Sequence, residues 1–292
     1  MIRRVVTAGA VWALAVLLST ISTAAFAQGK SQAHKNSAPP SRNDLASPSG
    51  AAVGSGAASP IAWVDDATVV DSGGVSVAIS TIRWTGSGMS EVNFPVVDIA
   101  FGLTPHVQLS ASVPRVVGSA DPAGAAGGLG TSYFSMKLAV VDDHKRGLKV
   151  AVSPTLEVLS PGVVEWLAPG EHRVQIGFPV SAQWDRGQSR LYGATGYFSR
   201  GAWFMGTGAA FIVNDKVAVS GGFSRAWRRS IVPDVPLGDR DRNEISGSGS
   251  YALTPSVRLF GSLGRTIATL EENGAGTTIG GGLSLFFTTP VK

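Results

Sequence analysis

FGLTPHVQLSASV, residues 101–113, sets a Thr-Pro turn between two runs in which every second residue is apolar. The pattern returns as FIVNDKVAVSGGF from Phe211 and as YALTPSVRLFGSL from Tyr251. Leu103, Val213 and Leu253 take the same place before the turn, and Val107, Val217 and Val257 the same place after it. A period of two puts alternate side chains on opposite faces of an extended chain, so these are three uses of one tight hairpin.

From about Val75 onward the same alternation fills nearly every stretch between turn signals, and no segment sustains a period of 3.6. In RVQIGFPVSAQW, Val174, Ile176, Phe178, Val180, Ala182 and Trp184 share a face opposite Arg173, Gln175, Ser181 and Gln183. In LKVAVSPTLEVL, Leu148, Val150, Val152, Leu156 and Val158 oppose Lys149, Ala151, Ser153, Thr155 and Glu157. Cutting at the turns gives strands near 75–84, 91–103, 106–117, 130–141, 148–158, 173–184, 189–199, 202–213, 216–226, 243–253, 256–268 and 276–287. At about ten residues or more they suit a tilted crossing of a bilayer and exceed the usual soluble strand. The connections alternate between tight turns and mostly longer loops, as in outer-membrane barrels with short periplasmic turns. The connection near 200 is short where a long one is due, which leaves the strand count open by two.

Trp84, Trp203 and Trp227 fall at one end of their strands, and Trp184, Phe211, Tyr251 and Phe287 at the other. Two aromatic girdles at headgroup level are expected of a membrane barrel. The rival architecture is a secreted soluble β-sandwich, whose outer face would carry Lys and Glu in shorter strands. Here the polar faces hold Ser, Gly, Thr and Ala, as in ISGSGSY and FMGTGAAF, which fits a narrow or filled lumen better than open water. The expected fold is therefore all-β, an antiparallel up-and-down transmembrane β-barrel of about twelve strands over 75–287, with a short C-terminal overhang at 288–292.

The first residues put Arg3 and Arg4 ahead of an apolar run that ends in Ala25-Phe26-Ala27, so 1–27 reads as a signal peptide cut after Ala27. Residues 28–74 read as a flexible Ala/Ser/Pro/Gly-rich periplasmic leader, because residues 28–60 contain no aromatic side chain and hardly a large aliphatic one. The expected address is the outer membrane of a Gram-negative cell. The chain's 292 residues contain no cysteine, which excludes a disulfide framework, a lipid-modified N-terminal cysteine and thiolate metal sites. Removing Arg3 and Arg4 with the signal takes the 24 basic residues to 22 against 20 acidic ones, a balance that gives no reason to expect a nucleic-acid partner.

The hairpin D-x-x-(aromatic)-G-(L/I)-T-x-x-V-x-(L/V) from Asp98 to Leu109, its echo from Tyr251 to Leu259, and a Gly-rich first hairpin followed by paired long strands resemble a family. That family is the transporter-like outer-membrane barrels associated with phenol meta-cleavage degradation. The resemblance covers roughly 75–287. It implies a barrel of about twelve strands with a part in uptake of small, often aromatic, compounds, and it brings no catalytic residues. One departure is the C-terminus: LSLFF ends at Phe287 and TTPVK follows, where such barrels usually end on the aromatic residue that the assembly machinery reads.

No catalytic, cofactor or metal site is expected. His106 and His144 sit on tight turns, His172 in a long loop and His34 in the leader, and none comes with a serine and an orienting group. Asp65, Asp66 and Asp71 precede the barrel without calcium-loop spacing. Two charge sets stand out. Lys149, Glu157 and Arg173 fall on the polar faces of adjacent strands and could line or plug a narrow pore. Arg225, Arg228, Arg229, Arg240 and Arg242 surround one long outer loop, with Asp234, Asp239 and Asp241 among them; they could meet lipopolysaccharide phosphates, guide anionic solutes, or form a solvated salt-bridged loop. The functional expectation is a channel or uptake barrel for small molecules, hydrophobic or aromatic ones among them, against a non-transporting structural or surface-interaction barrel. Its partners would be outer-membrane lipid and lipopolysaccharide, the barrel assembly machinery, and an unidentified small solute.

Overall fold

The computed structural model describes residues 64–86, 89–119, 128–160, 172–199, 201–228, 240–269 and 275–288. The expected signal peptide, the expected leader up to residue 63, Arg229 and residues 289–292 lie outside them. The described chain forms one antiparallel sheet: β1 (Gly74–Gly86), β2 (Met89–Thr104), β3 (Val107–Ser119), β4 (Ser132–Asp143), β5 (Leu148–Val152), β6 (Thr155–Val158) and β7 (Val174–Gly177). It continues through β8 (Val180–Arg186), β9 (Ser189–Phe198), β10 (Ala202–Ile212), β11 (Val217–Arg228), β12 (Arg240–Thr254), β13 (Val257–Thr266) and β14 (Thr277–Thr288).

β5 and β6 are halves of one wall strand, interrupted at Ser153-Pro154, and β7 and β8 are halves of the next, interrupted at Phe178-Pro179. Proline has no N–H to give to a ladder, so each break falls where the sequence removes a donor. The wall stays bonded across both: the Ser153 amide donates to the Pro179 carbonyl at 2.8 Å, and the Met136 amide to the Pro154 carbonyl at 3.1 Å. Counted this way the wall has 12 strands. β1 closes on β14 in unbroken register from Gly74↔Thr288 to Thr85↔Thr277, so no sheet edge remains. In a bilayer, where no water would satisfy an open edge, closure is what lets strands span.

The hairpins at 104–107, 143–148, 186–189, 212–217 and 254–257 gather at one rim, together with both ends of the barrel, Gly74 and Thr288. The short connection near 200 is a real hairpin: Phe198 pairs with Ala202 and Gly201 takes φ +83°, a left-handed conformation that suits glycine, so the count of 12 stands.

The two faces separate as the alternation requires. Val174, Ile176, Phe178, Val180 and Trp184 stand exposed on the outside, while Gln175, Ser181 and Gln183 are buried inside. Trp184, Phe211, Tyr251 and Phe287 form an outward aromatic belt near the turn rim, and Trp203 with Tyr197, ring centroids 4.8 Å apart, marks the opposite one. Trp84 departs from this scheme. It points inward and is 5% exposed, because its register on β1 follows Ser80 and Ile82 on the lumen side.

Candidate functional site

Ten residues ahead of β1, 64–73, lie against the inner wall. Their seat is built from glycine. A side chain at Gly206 on β10 would occupy the space that Val64 takes, and one at Gly102 on β2 would strike the Val70 and Asp71 carbonyls. With only hydrogen at these points, the backbone approaches the wall closely. Wall side chains then satisfy the polar groups of the segment. Gln183 Oε1 accepts from the Ala67 amide at 3.2 Å and the Thr68 hydroxyl at 2.9 Å, and Gln108 Oε1 accepts from the Val70 amide at 2.8 Å. Lys137 Nζ donates to the Asp66 and Thr68 carbonyls at 3.0 and 3.3 Å, and the Ser181 hydroxyl donates to the Asp66 carbonyl at 3.2 Å.

Two ion pairs hold the segment. Lys137, 7% exposed, reaches Asp65 at 2.6 Å. Arg190 is shared between Asp66 at 2.7 Å and Asp185 of β8 at 2.9 Å. Asp185 in turn accepts from Gln183 Nε2 at 2.7 Å, so the segment and the wall form one hydrogen-bonded network. Burial pushes the Asp65 carboxyl above the ordinary carboxylate range, and the Lys137 ammonium acts in the opposite direction. The expected leader was drawn to residue 74; its described residues, 64–73, occupy this seat.

At the turn rim a cavity of about 480 Å³ remains. Lys149 of β5 and Arg190 of β9 line it on one stretch of wall, and Ser220, Ser248, Ser250 and Arg258 of β11, β12 and β13 on the next. Above it the lumen is filled. Phe204 is 1% exposed and Phe198 6%, with ring centroids 6.1 Å apart, and Gly177 and Gly196 leave the space those rings need. Glu157, 1% exposed, accepts from the Tyr133 hydroxyl at 3.1 Å.

No family model matches the sequence, and no curated protein sequence matches it. Solved structures do share the architecture. An outer-membrane channel from Pseudomonas putida F1 is 13% identical, with a TM-score of 0.54 over 76% of this chain and 98% of that one. The NanC porin is 9% identical, with a TM-score of 0.53 over 72% and 98%. The KdgM porin is 7% identical, with a TM-score of 0.50 over 73% and 99%. The fold is that of an outer-membrane porin-like channel.

Within this porin-like barrel the charges singled out from sequence do not meet as one set. Lys149 and Glu157 both face inward, but they sit at opposite ends of their wall strand. Lys149 is near the turn rim, 4.0 Å from Asp142. Arg173 is exposed just before β7, at the Glu157 end, where its Nε donates to the Leu159 carbonyl at 3.2 Å. The arginines of the outer loop are divided by the wall. Arg225 faces out, over the Trp227 ring at 5.9 Å and bonded to Asp241, whereas Arg242 faces in, 2% exposed, with Glu244 at 3.1 Å. The side chains of Arg228 and Arg240 lie outside the described residues, as does Arg229. His144 is on its turn, 70% exposed and 3.4 Å from Asp142.

Sequence reading missed the seat of 64–73. The available signal was the pair Asp65-Asp66, adjacent carboxylates with inward-facing Lys137 and Arg190 to receive them, next to the inward glycines Gly102 and Gly206.

Proposed function

We propose that this chain is an outer-membrane uptake channel for small polar solutes, in a conformation where segment 64–73 narrows the pore. The observation that carries it is the lumen. A closed barrel with an apolar outer face leaves at its turn rim a cavity of about 480 Å³ whose wall carries Lys149, Arg190 and Arg258, and Arg190 ties that wall to Asp66 of the inward segment. Its similarity in fold to porins supports the same reading. The family resemblance implied aromatic compounds and a link to phenol degradation. The cavity's lysine, arginines and serines support a hydrophilic solute, and the cations among them favour one with negative charge.

The test is planar-bilayer conductance of the purified full chain with a potassium chloride gradient across the membrane. A finite conductance with a reversal potential on the anion side is expected. Arg258→Ala is expected to move that potential toward zero. A folded barrel that passes no current and admits no small solute into swelling liposomes would refute uptake. The filling of the loop-side lumen by Phe198 and Phe204 favours a second reading, a non-transporting barrel, and that result would establish it.

A further inference from the structure

The outward face carries few charges inside its strands, and most of them are arginines at one height. Arg115, Arg225 and Arg265 each stand eight residues after the first residue of their strand at the turn rim, and Arg83 stands nine after. Eight residues of a tilted strand rise about 20 Å, which puts all four guanidiniums near the far edge of an apolar band roughly 25 Å tall. Tyr197, also eight residues from its strand's start, stacks with Trp203 at that height, and Trp227 lies beside Arg225. Aromatic rings of this kind mark the headgroup level.

The strand register confirms a belt rather than a scatter. Arg83 pairs with Ile279, which pairs with Leu263, so Arg265 lies two strands away and two residues higher in register. Arg225 continues the progression through Asn243 of β12, two strands further on. Each step around the wall is about 10 Å. Arg83, Arg115, Arg225 and Arg265 are all exposed. Arg225 pairs with Asp241, whereas among the described residues no ion pair engages Arg83, Arg115 or Arg265. Among the described residues these three cations meet no carboxylate, and at the edge of a hydrocarbon band the lipid headgroups are the neighbouring source of anions. The loop-side leaflet of an outer membrane supplies them as phosphorylated glycolipid, and guanidinium is the side chain best matched to phosphate.

We propose that Arg83, Arg265 and Arg115, joined by Arg225, form a binding belt for the phosphate groups of lipopolysaccharide in the outer leaflet. This rests on the outer-membrane reading above but not on transport. The belt holds the barrel at a fixed depth and collects a shell of this lipid around it.

The test is native mass spectrometry of the detergent-purified full chain titrated with lipid A bearing both phosphates, with lipid A stripped of them, and with phosphatidylglycerol. The full chain is expected to retain bisphosphorylated lipid A at least tenfold more tightly than either other lipid. The triple variant Arg83→Gln, Arg115→Gln, Arg265→Gln is expected to lose that preference. Its heat-modifiable mobility on a gel should stay unchanged, which shows that it still folds. Lys216→Gln, on an exposed turn at the opposite rim, should bind like the parent. Equal retention of dephosphorylated lipid A, equal retention of phosphatidylglycerol, or undiminished binding by the folded triple variant would each overturn the belt. Lipid binding is read without flux, so a barrel that binds lipid A but conducts nothing refutes uptake alone, and a conducting barrel indifferent to phosphate refutes the belt alone.

Discussion

Lys137 makes the difference between a segment that lies in the lumen and one that is held there. Its ammonium gives hydrogen bonds to two carbonyls of the segment and an ion pair to Asp65, all from a side chain 7% exposed. Lys137→Gln would leave Asp65 without its counter-ion inside the barrel, a loss on the order of 3 kcal/mol for a buried pair broken from one side. The cost falls on docking and not on the wall, because the β3–β4 backbone ladder around Lys137 is untouched. The expected outcome is a protein that still shows a heat-dependent gel mobility while residues 64–73 become sensitive to limited proteolysis. Protection equal to the parent would show that Arg190, Gln183, Gln108 and the glycine seat hold the segment without Lys137. This contact was not legible in advance. Its partners come from a non-repeating segment about seventy residues earlier, and periodicity carries no information about such a pairing.

The elements themselves were legible, because a strand between lipid and lumen has to change polarity at every residue and a one-residue slip would exchange the faces. Every expected boundary falls within three residues of the observed one. What alternation could not show is the interruption at Pro154 and Pro179, where two facing wall strands break at neighbouring points while the ladder closes around them. Nor could it show that the arginines of the outer loop divide between faces, although Arg225 and Arg242 stand on adjacent strands. Depth along one strand sets what each face tolerates. On β1, Ile79 is 46% exposed and lies five residues from the strand's start, near the middle of the apolar band, whereas Arg83 lies at its edge. Ile79→Arg is therefore expected to destabilise the folded barrel by about 2–4 kcal/mol, as for a cation at the bilayer midplane. Ser248→Lys, on the cavity wall, should change ion selectivity and leave stability near the parent's. Reversible denaturant titration in lipid vesicles measures both, and equal destabilisation by the two substitutions would contradict the assignment of faces.

At the scale of the molecule the lumen has two obstructions in series, and they differ in how they are attached. The loop-side filling of Phe198 and Phe204 belongs to the wall strands β9 and β10 and can move only with them. Segment 64–73 is joined to the wall through side chains, through the Gly73 amide donating to the Gly102 carbonyl at 2.7 Å, and through its covalent link at Gly74, so it can leave while every strand pair persists. Deleting residues 64–73 from the full chain should therefore enlarge the cavity without opening the barrel. Single-channel recording is expected to show a several-fold rise in conductance, with the heat-dependent gel shift preserved and extraction from the membrane still requiring detergent. A deletion that folds but conducts no better than the parent would place the controlling obstruction at the aromatic pair. Phe204→Ala in that background would then be expected to raise conductance, since it removes the more deeply buried of the two rings from the loop-side lumen. If neither change raises conductance in a folded barrel, the polar cavity is a closed pocket and the porin-like fold serves something other than passage.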